Sequence, residues 1–190
     1  MRYWFDTVKK HINSFVNPTS EFKLLEVGLY HAGNTKQLLE QYPNIQLTGV
    51  DPSYHSNIGE LQKGYPNFTF INDTSLNVLD RLDGFDVVLI DGDHNRYTVY
   101  NELKTIFIDY ETFPLVILHD IHKPWGRKDF SYNSNTIPGG EFHREPQGVL
   151  SGIEQFINEY TSDDNKDWFK LTLYNLGPGL GILEKMDDKI

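Results

Sequence analysis

Short β-branched runs alternate with helix-patterned stretches through residues 22–120, and this alternation narrows the fold more than any other feature. "FKLLEVG" (22–28), "IQLTGVD" (45–51), "NFTFIND" (67–73), "FDVVLID" (85–91) and "FPLVILHD" (113–120) read as strands. "NTKQLLEQY" (34–42), "SLNVLDRL" (75–82) and "YTVYNELKTIFIDY" (97–110) carry helical spacing between them. Parallel neighbours need a crossover, so the alternation predicts βαβ units. Further on, "GVLSGIEQFINEY" (148–160) predicts another helix, and "WFKLTLYNL" (168–176) and "LGILEK" (180–185) predict two strands around a "GPG" turn. The expected architecture is α/β and Rossmann-like. It has a mostly parallel seven-stranded sheet, an antiparallel C-terminal hairpin and helices on both faces.

A chain of 190 residues fits one domain, taken here as 1–190. Trp4, Phe5, Val8, Ile12 and Phe15 fall at helical spacing and predict a helical cap over residues 1–20. Residues 121–147 are rich in Gly, Pro, Asn and charge without a period, which predicts a lid or substrate loop, with a disordered surface loop as the plain alternative. Within or beside it, Trp125 could stack on a sugar face and Arg144 could pair with an acidic group. His122 and His143 are further candidates there.

The chain has no cysteine, which excludes disulfides, thiolate zinc sites and thiol nucleophiles and suits a reducing cytoplasm. A formal net charge of −10 repels phosphate backbones, so no nucleic-acid partner is expected. No apolar run approaches the roughly 20 residues needed to span a bilayer, and the start lacks a secretory apolar region. A cytoplasmic protein with no membrane partner is therefore expected. A homodimer is left open.

Two regions carry chemistry. "LLEVGLYHAGNT" (24–35) sits where the first strand feeds the first helix. Gly28 and Gly33 bracket a turn holding Tyr30 and His31, and glycine there lets backbone approach a ligand. The helix that follows offers free N–H groups. Glu26 precedes the first glycine; it repels a pyrophosphate but attracts an ammonium. The spacing is E-x-G-x-x-x-x-G, not that of a dinucleotide phosphate loop. Asp51 closes the second strand, 23 positions after Gly28, where a carboxylate can hydrogen-bond ribose hydroxyls. An ordinary strand-to-helix turn and a cap before Pro52 are the plain alternatives. The ordered pair, inside a βαβ unit, favours a nucleoside-containing cofactor.

The second region lies at the ends of the fourth and fifth strands. Asp91 ends one and His119–Asp120 the other. Adjacent strands lie about 4.8 Å apart, so these groups can converge. Two carboxylates and an imidazole suit Mg²⁺, Mn²⁺ or Fe²⁺ better than a structural zinc. A helix cap at Asp91 and a loop turn at His119–Asp120 are the simpler alternatives.

"LEVGLYHAGNT", "GVDPS" and "INDTS" in this order resemble the class I S-adenosylmethionine-dependent methyltransferases over most of residues 20–185. The resemblance implies that Glu26, Gly28 and Gly33 line the methionine part of S-adenosyl-L-methionine; Tyr30 and His31 in the same turn are further cofactor-binding candidates, His31 either touching the cofactor carboxylate or capping the turn. It places Asp51 on the ribose, Asp73, Thr74 and Ser75 beside the adenine, and Asp91 at the cofactor's edge. Ala32 stands where many relatives carry another glycine. "LIDGDHNRY" with "NEL", and "VILHDI", are similar to a narrower group of small metal-dependent O-methyltransferases related to macrocin O-methyltransferase and the cephalosporin-hydroxylase-type enzymes. This implies a divalent metal, Mg²⁺ or Mn²⁺, on Asp91, His119 and Asp120, with Asp93 as general base and His94 as the alternative. His119 replaces a carboxylate common in relatives. The expected reaction is metal-assisted O-methylation of a hydroxyl on a small molecule or glycan. A metal-dependent hydrolase built on D-G-D-H and H-D-I-H is one rival, and a non-catalytic cofactor-binding domain is the other.

Overall fold

The computed structural model describes residues 3–122, 124–127, 148–161 and 168–186. Most of the anticipated lid, including His143 and Arg144, lies outside the described residues. The chain runs α1 (Tyr3–Phe15), β1 (Phe22–Val27), α2 (Gly33–Gln41), β2 (Ile45–Val50), α3 (Ser56–Gly64), β3 (Phe68–Ile71), α4 (Ser75–Val78), β4 (Val87–Ile90), α5 (Arg96–Lys104), β5 (Leu115–His119), α6 (Val149–Tyr160), β6 (Phe169–Tyr174) and β7 (Leu180–Lys185). A 3₁₀ turn, Leu79–Arg81, extends α4, and a π turn, Thr105–Asp109, extends α5.

The seven strands form one sheet in the order β3-β2-β1-β4-β5-β7-β6. β1 pairs parallel with β2 and β4, and β5 pairs parallel with β4. β7 runs antiparallel to both β5 and β6. This is the architecture expected from the alternating runs. The strand order reverses between β1 and β4, and in open sheets of this kind ligands bind beyond the strand ends at that switch point.

Alternate residues along each strand supply two cores. Leu24, Leu47, Val87, Leu89, Leu115 and Ile117 pack with Phe5, Val8 and Ile12 of α1 and with Leu38 and Ile58 of α2 and α3. Leu25, Val27, Val88, Ile90, Val116 and Leu118 pack with Val99 and Leu103 of α5 and with Ile153 and Phe156 of α6 on the other face. Burial on both faces explains why β4 reads as an unbroken apolar run.

The helix α3 was not anticipated from the sequence. Gly59 and Gly64 dilute its periodicity, and glycine weakens helix propensity by about 1 kcal/mol. Buried Ile58 and Leu61 anchor it as the crossover that parallel β2 and β3 require. No helix among the described residues is long and apolar enough to cross a membrane.

Candidate functional site

The β1–α2 turn is built on close backbone approach. Gly28 has φ +84°, and a Cβ there would sit 2.3 Å from the Asp91 carbonyl oxygen and 2.4 Å from the Gly92 Cα. The turn is therefore pressed directly against the end of β4. Tyr30 (φ 49°) and Ala32 (φ 54°) are also left-handed, so Ala32 takes the conformation that glycine takes more readily at such a position.

Asp51 holds this turn from below. Its Oδ2 accepts from the backbone N–H groups of Leu29 (2.8 Å) and Tyr30 (2.9 Å), and its Oδ1 accepts from Ser53 N (2.7 Å). A carboxylate has about four acceptor positions, so the residue can organise the loop and still receive another donor. The Tyr30 ring is exposed and packs on His31, which in turn faces His55 at 4.8 Å between ring centres.

Glu26 lies fully buried beneath the turn. Thr35 Oγ1, in the first turn of α2, donates to its Oε2 at 2.7 Å. Its Oε1 has no hydrogen-bond partner among the described residues. Burial, opposed by the Thr35 bond and reinforced by the charges of Asp91 and Asp51, pushes its pKa up to about 8. A buried acceptor without a donor suits an ammonium group.

Asp73 accepts from Thr74 N and Asn77 Nδ2 at the start of α4. Ser75 turns inward and donates to buried Glu102 Oε1 of α5 at 2.5 Å. Burial again dominates at Glu102, whose pKa rises to about 8. Glu102 was not singled out in the sequence; its position inside an amphipathic helix gave no sign that it meets the loop after β3.

The acidic cluster forms at the ends of β4 and β5. One ligand atom each from Asp91, His94 and Asp120 lies within 4.8 Å of the others. His94 Nε2 is 2.9 Å from Asp120 Oδ2 and 3.8 Å from Asp91 Oδ1. His119 reaches the same carboxylates through Nδ1, 3.0 Å from Asp91 Oδ1 and 3.5 Å from Asp120 Oδ1. Asp120 has φ 60°, a conformation rare outside glycine that persists where surrounding contacts enforce it. Burial lowers the pKa of both imidazoles, but hydrogen bonds and charges from Asp120 and Asp91 outweigh it, lifting His94 to about 9 and His119 to about 10. The reciprocal bonds overcome burial at Asp91 and Asp120 and lower both carboxyls, Asp120 to about 2.

His94 thus joins the cluster as a candidate ligand as well as a candidate base. The i, i+3 spacing of Asp91 and His94 was the available signal. Asp93 faces the start of α5, where its Oδ2 accepts from Asn95 Nδ2 (2.7 Å) and Thr98 Oγ1 (3.3 Å). Asn95 in turn caps that helix by accepting from Thr98 N at 2.8 Å. Two indoles border the cluster: Trp125 stacks on His94 at 5.6 Å and 30°, and Trp4 of α1 lies 4.8 Å from His119. Of the anticipated lid residues described here, Trp125 is the one in ring contact with the cluster. Its carbonyl accepts from Val149 N at 3.0 Å, fixing it to the start of α6.

A seven-stranded sheet in this order, with β7 antiparallel, has the Rossmann-like fold of the methyltransferases. The chain is similar to the MycE methyltransferase of mycinamycin biosynthesis, solved with Mg, S-adenosylhomocysteine and mycinamycin VI, at a TM-score of 0.65 and 19% identity over 97% of this chain and 50% of that one. A Staphylococcus aureus protein assigned as a caffeoyl-CoA O-methyltransferase aligns with a TM-score of 0.63 and 13% identity over 98% of this chain and 84% of that one. The Burkholderia thailandensis 1,6-didemethyltoxoflavin-N1-methyltransferase, with its substrate and S-adenosylhomocysteine bound, gives 0.63 and 14% over 96% and 76%. The chain spans about half the length of MycE. No family model and no curated protein sequence matches it.

Proposed function

We propose that this protein is an S-adenosylmethionine-dependent methyltransferase that methylates a hydroxyl of a small molecule or glycan with the help of a divalent metal. The observation that carries the proposal is the close approach of the Gly28 turn to the Asp91 backbone, at the strand end whose side chain joins the Asp91–His94–Asp120 cluster. Sulfonium binding and proton removal must occur on two sides of one cleft, and Asp91 belongs to both features, through its backbone against Gly28 and its side chain in the cluster. Structural likeness to MycE, which binds Mg and S-adenosylhomocysteine, supports the same reading.

On this proposal Glu26, Gly28, Tyr30, His31 and Gly33 receive the methionine part of the cofactor, with the buried Glu26 carboxyl accepting from its ammonium group. Asp51 takes a ribose hydroxyl, Asp73, Thr74 and Ser75 border the adenine, and Asp91 lies at the junction of the two halves. Bound S-adenosylmethionine supplies an already activated methyl group.

Two carboxylates with imidazole fit a divalent cation of the Mg²⁺ or Mn²⁺ class, the nitrogen favouring Mn²⁺. Asp91, Asp120 and His94 would hold it, with His119 bonded to Asp91 beside them. A cation there would lower the pKa of an acceptor hydroxyl. Asp93, oriented by Asn95 and Thr98, would take the proton of the acceptor hydroxyl as that oxygen is methylated. Such proton removal is worth roughly 10²–10⁴-fold. His94, lifted against burial to about 9 by Asp120 and Asp91, already carries a proton near neutral pH, which favours Asp93 as the base. Trp125 offers an aromatic face to the acceptor.

Calorimetric titration with S-adenosylhomocysteine, with and without Mn²⁺ or Mg²⁺, tests the proposal. Micromolar binding is expected. A folded chain that binds no S-adenosylhomocysteine overturns it, and metal-dependent hydrolysis without any methyl donor would favour the hydrolase alternative.

A further inference from the structure

Helix α1 does more than cover the sheet. Phe5, Val8 and Ile12 seat it in the same apolar cluster as Leu115 and Ile117 of β5 and Leu180 and Ile182 of β7. A hydrogen bond of 2.8 Å between His11 Nε2 and the Tyr174 hydroxyl ties it to β6. So anchored, the first turn of α1 brings Trp4 to the end of β5, where its ring centre lies 4.8 Å from that of His119, tilted by 43°. Trp4 is itself half-buried and lies edge-on to Phe5.

His119 has one nitrogen committed to the cluster and the other buried without a hydrogen-bond partner among the described residues. Hydrogen bonding therefore fixes the ring from one side only. Rotation about its last side-chain bond would move Nδ1 off Asp91 Oδ1 and leave that carboxylate without the bond. The indole packed on the imidazole is what opposes this rotation from the other side.

We propose that Trp4 is a positioning residue of the acidic site: it holds His119 in the orientation that bonds Asp91, and so sets the affinity of the cluster for a divalent cation. The inference rests on the metal-assisted reading above. It makes α1 a working part of the site. His119 is the partner one step removed from the ligands, and such partners typically govern metal affinity by about 10–100-fold; Trp4 acts through it.

The test is isothermal titration of the whole chain with Mn²⁺ alone, alongside S-adenosylhomocysteine binding and thermal melts. Trp4→Ala is expected to weaken Mn²⁺ binding by about three- to tenfold, up to the lower end of what losing the His119 bond itself would cost, and to leave S-adenosylhomocysteine affinity within about twofold, since the glycine turn does not depend on His119. Trp4→Phe, which keeps an aromatic face, should restore most of the Mn²⁺ affinity. Ile12→Val loosens α1 two turns away from Trp4; it should lower the melting temperature and leave Mn²⁺ binding unchanged. Equal Mn²⁺ binding by wild type and Trp4→Ala overturns the inference alone, as does an equal loss in Ile12→Val and Trp4→Ala. A wild-type chain that takes up no Mn²⁺ overturns the metal reading and this inference with it.

Discussion

Thr35 Oγ1 donates to Glu26 Oε2 at 2.7 Å, joining the last turn of β1 to the first turn of α2 beneath the glycine loop. Glu26 is completely buried, and its other oxygen has no partner among the described residues. That pair makes the glycine turn sensitive to pH. The folded carboxyl keeps its proton up to about pH 8, whereas the unfolded one loses it near its ordinary value of 4.5. Folding takes up a proton between those values, so stability falls as pH rises through that window. Glu102, raised to about 8 for the same reason, adds to the slope. Urea unfolding at pH 5 and pH 8 should show the loss, and Glu26→Gln should flatten a substantial part of it.

Cofactor binding should release protons. An ammonium beside Glu26 favours its ionised form, so binding S-adenosylhomocysteine at pH 7 would expel the proton. Calorimetry in two buffers of different ionisation enthalpy reads this as a difference in apparent heat. Glu26→Gln should abolish the difference and weaken binding by about tenfold, as expected for loss of a charge-assisted bond. Identical heats in both buffers would sink the assignment.

Asp120→Asn removes the carboxylate that His94 and His119 both approach. Mn²⁺ affinity should drop by at least about 100-fold, the upper end of what losing an outer partner costs. Titration with the metal alone measures it. The S-adenosylhomocysteine affinity of the metal-free chain should change little.

Gly28→Ala should destabilise the chain by about 3 kcal/mol or more, combining a left-handed alanine with overpacking. The new methyl would fall 2.3 Å from the Asp91 carbonyl oxygen, against rigid backbone. The midpoint of urea unfolding reports the loss. Because the displaced strand end carries Asp91, Mn²⁺ affinity should fall with it.

Glu102→Gln should be nearly silent, since the carboxyl is already neutral in the fold at pH 7 and the amide oxygen can still accept from Ser75. Glu102→Leu leaves the Ser75 hydroxyl without its acceptor and should cost about 1–3 kcal/mol. Chemical denaturation separates the two variants. Equal losses in both would mean that shape, not the hydrogen bond, is what matters there.

Much of the fold was legible because buried parallel strands must be apolar along their whole length. Residues 85–91 and 113–120 announced β4 and β5 in this way, and the acids that end them marked the side on which a ligand could sit. The helix α3 was hidden by its two glycines and needed β2 and β3 in place to be required at all. The approach of Trp4 to His119 spans 115 positions of chain, and no local pattern encodes it.

The alternation of apolar runs and helical spacing determined the α/β class, and the residues at the strand ends determined which chemical groups could gather there. These follow from period and side-chain type, which are local properties of the chain. The strand order, the press of Gly28 on Asp91, the entry of His94 into the acidic cluster and the bracing of His119 by α1 were decided only by the tertiary structure. Those relations arise from packing two cores against one twisted sheet, which brings together segments that no short-range interaction connects.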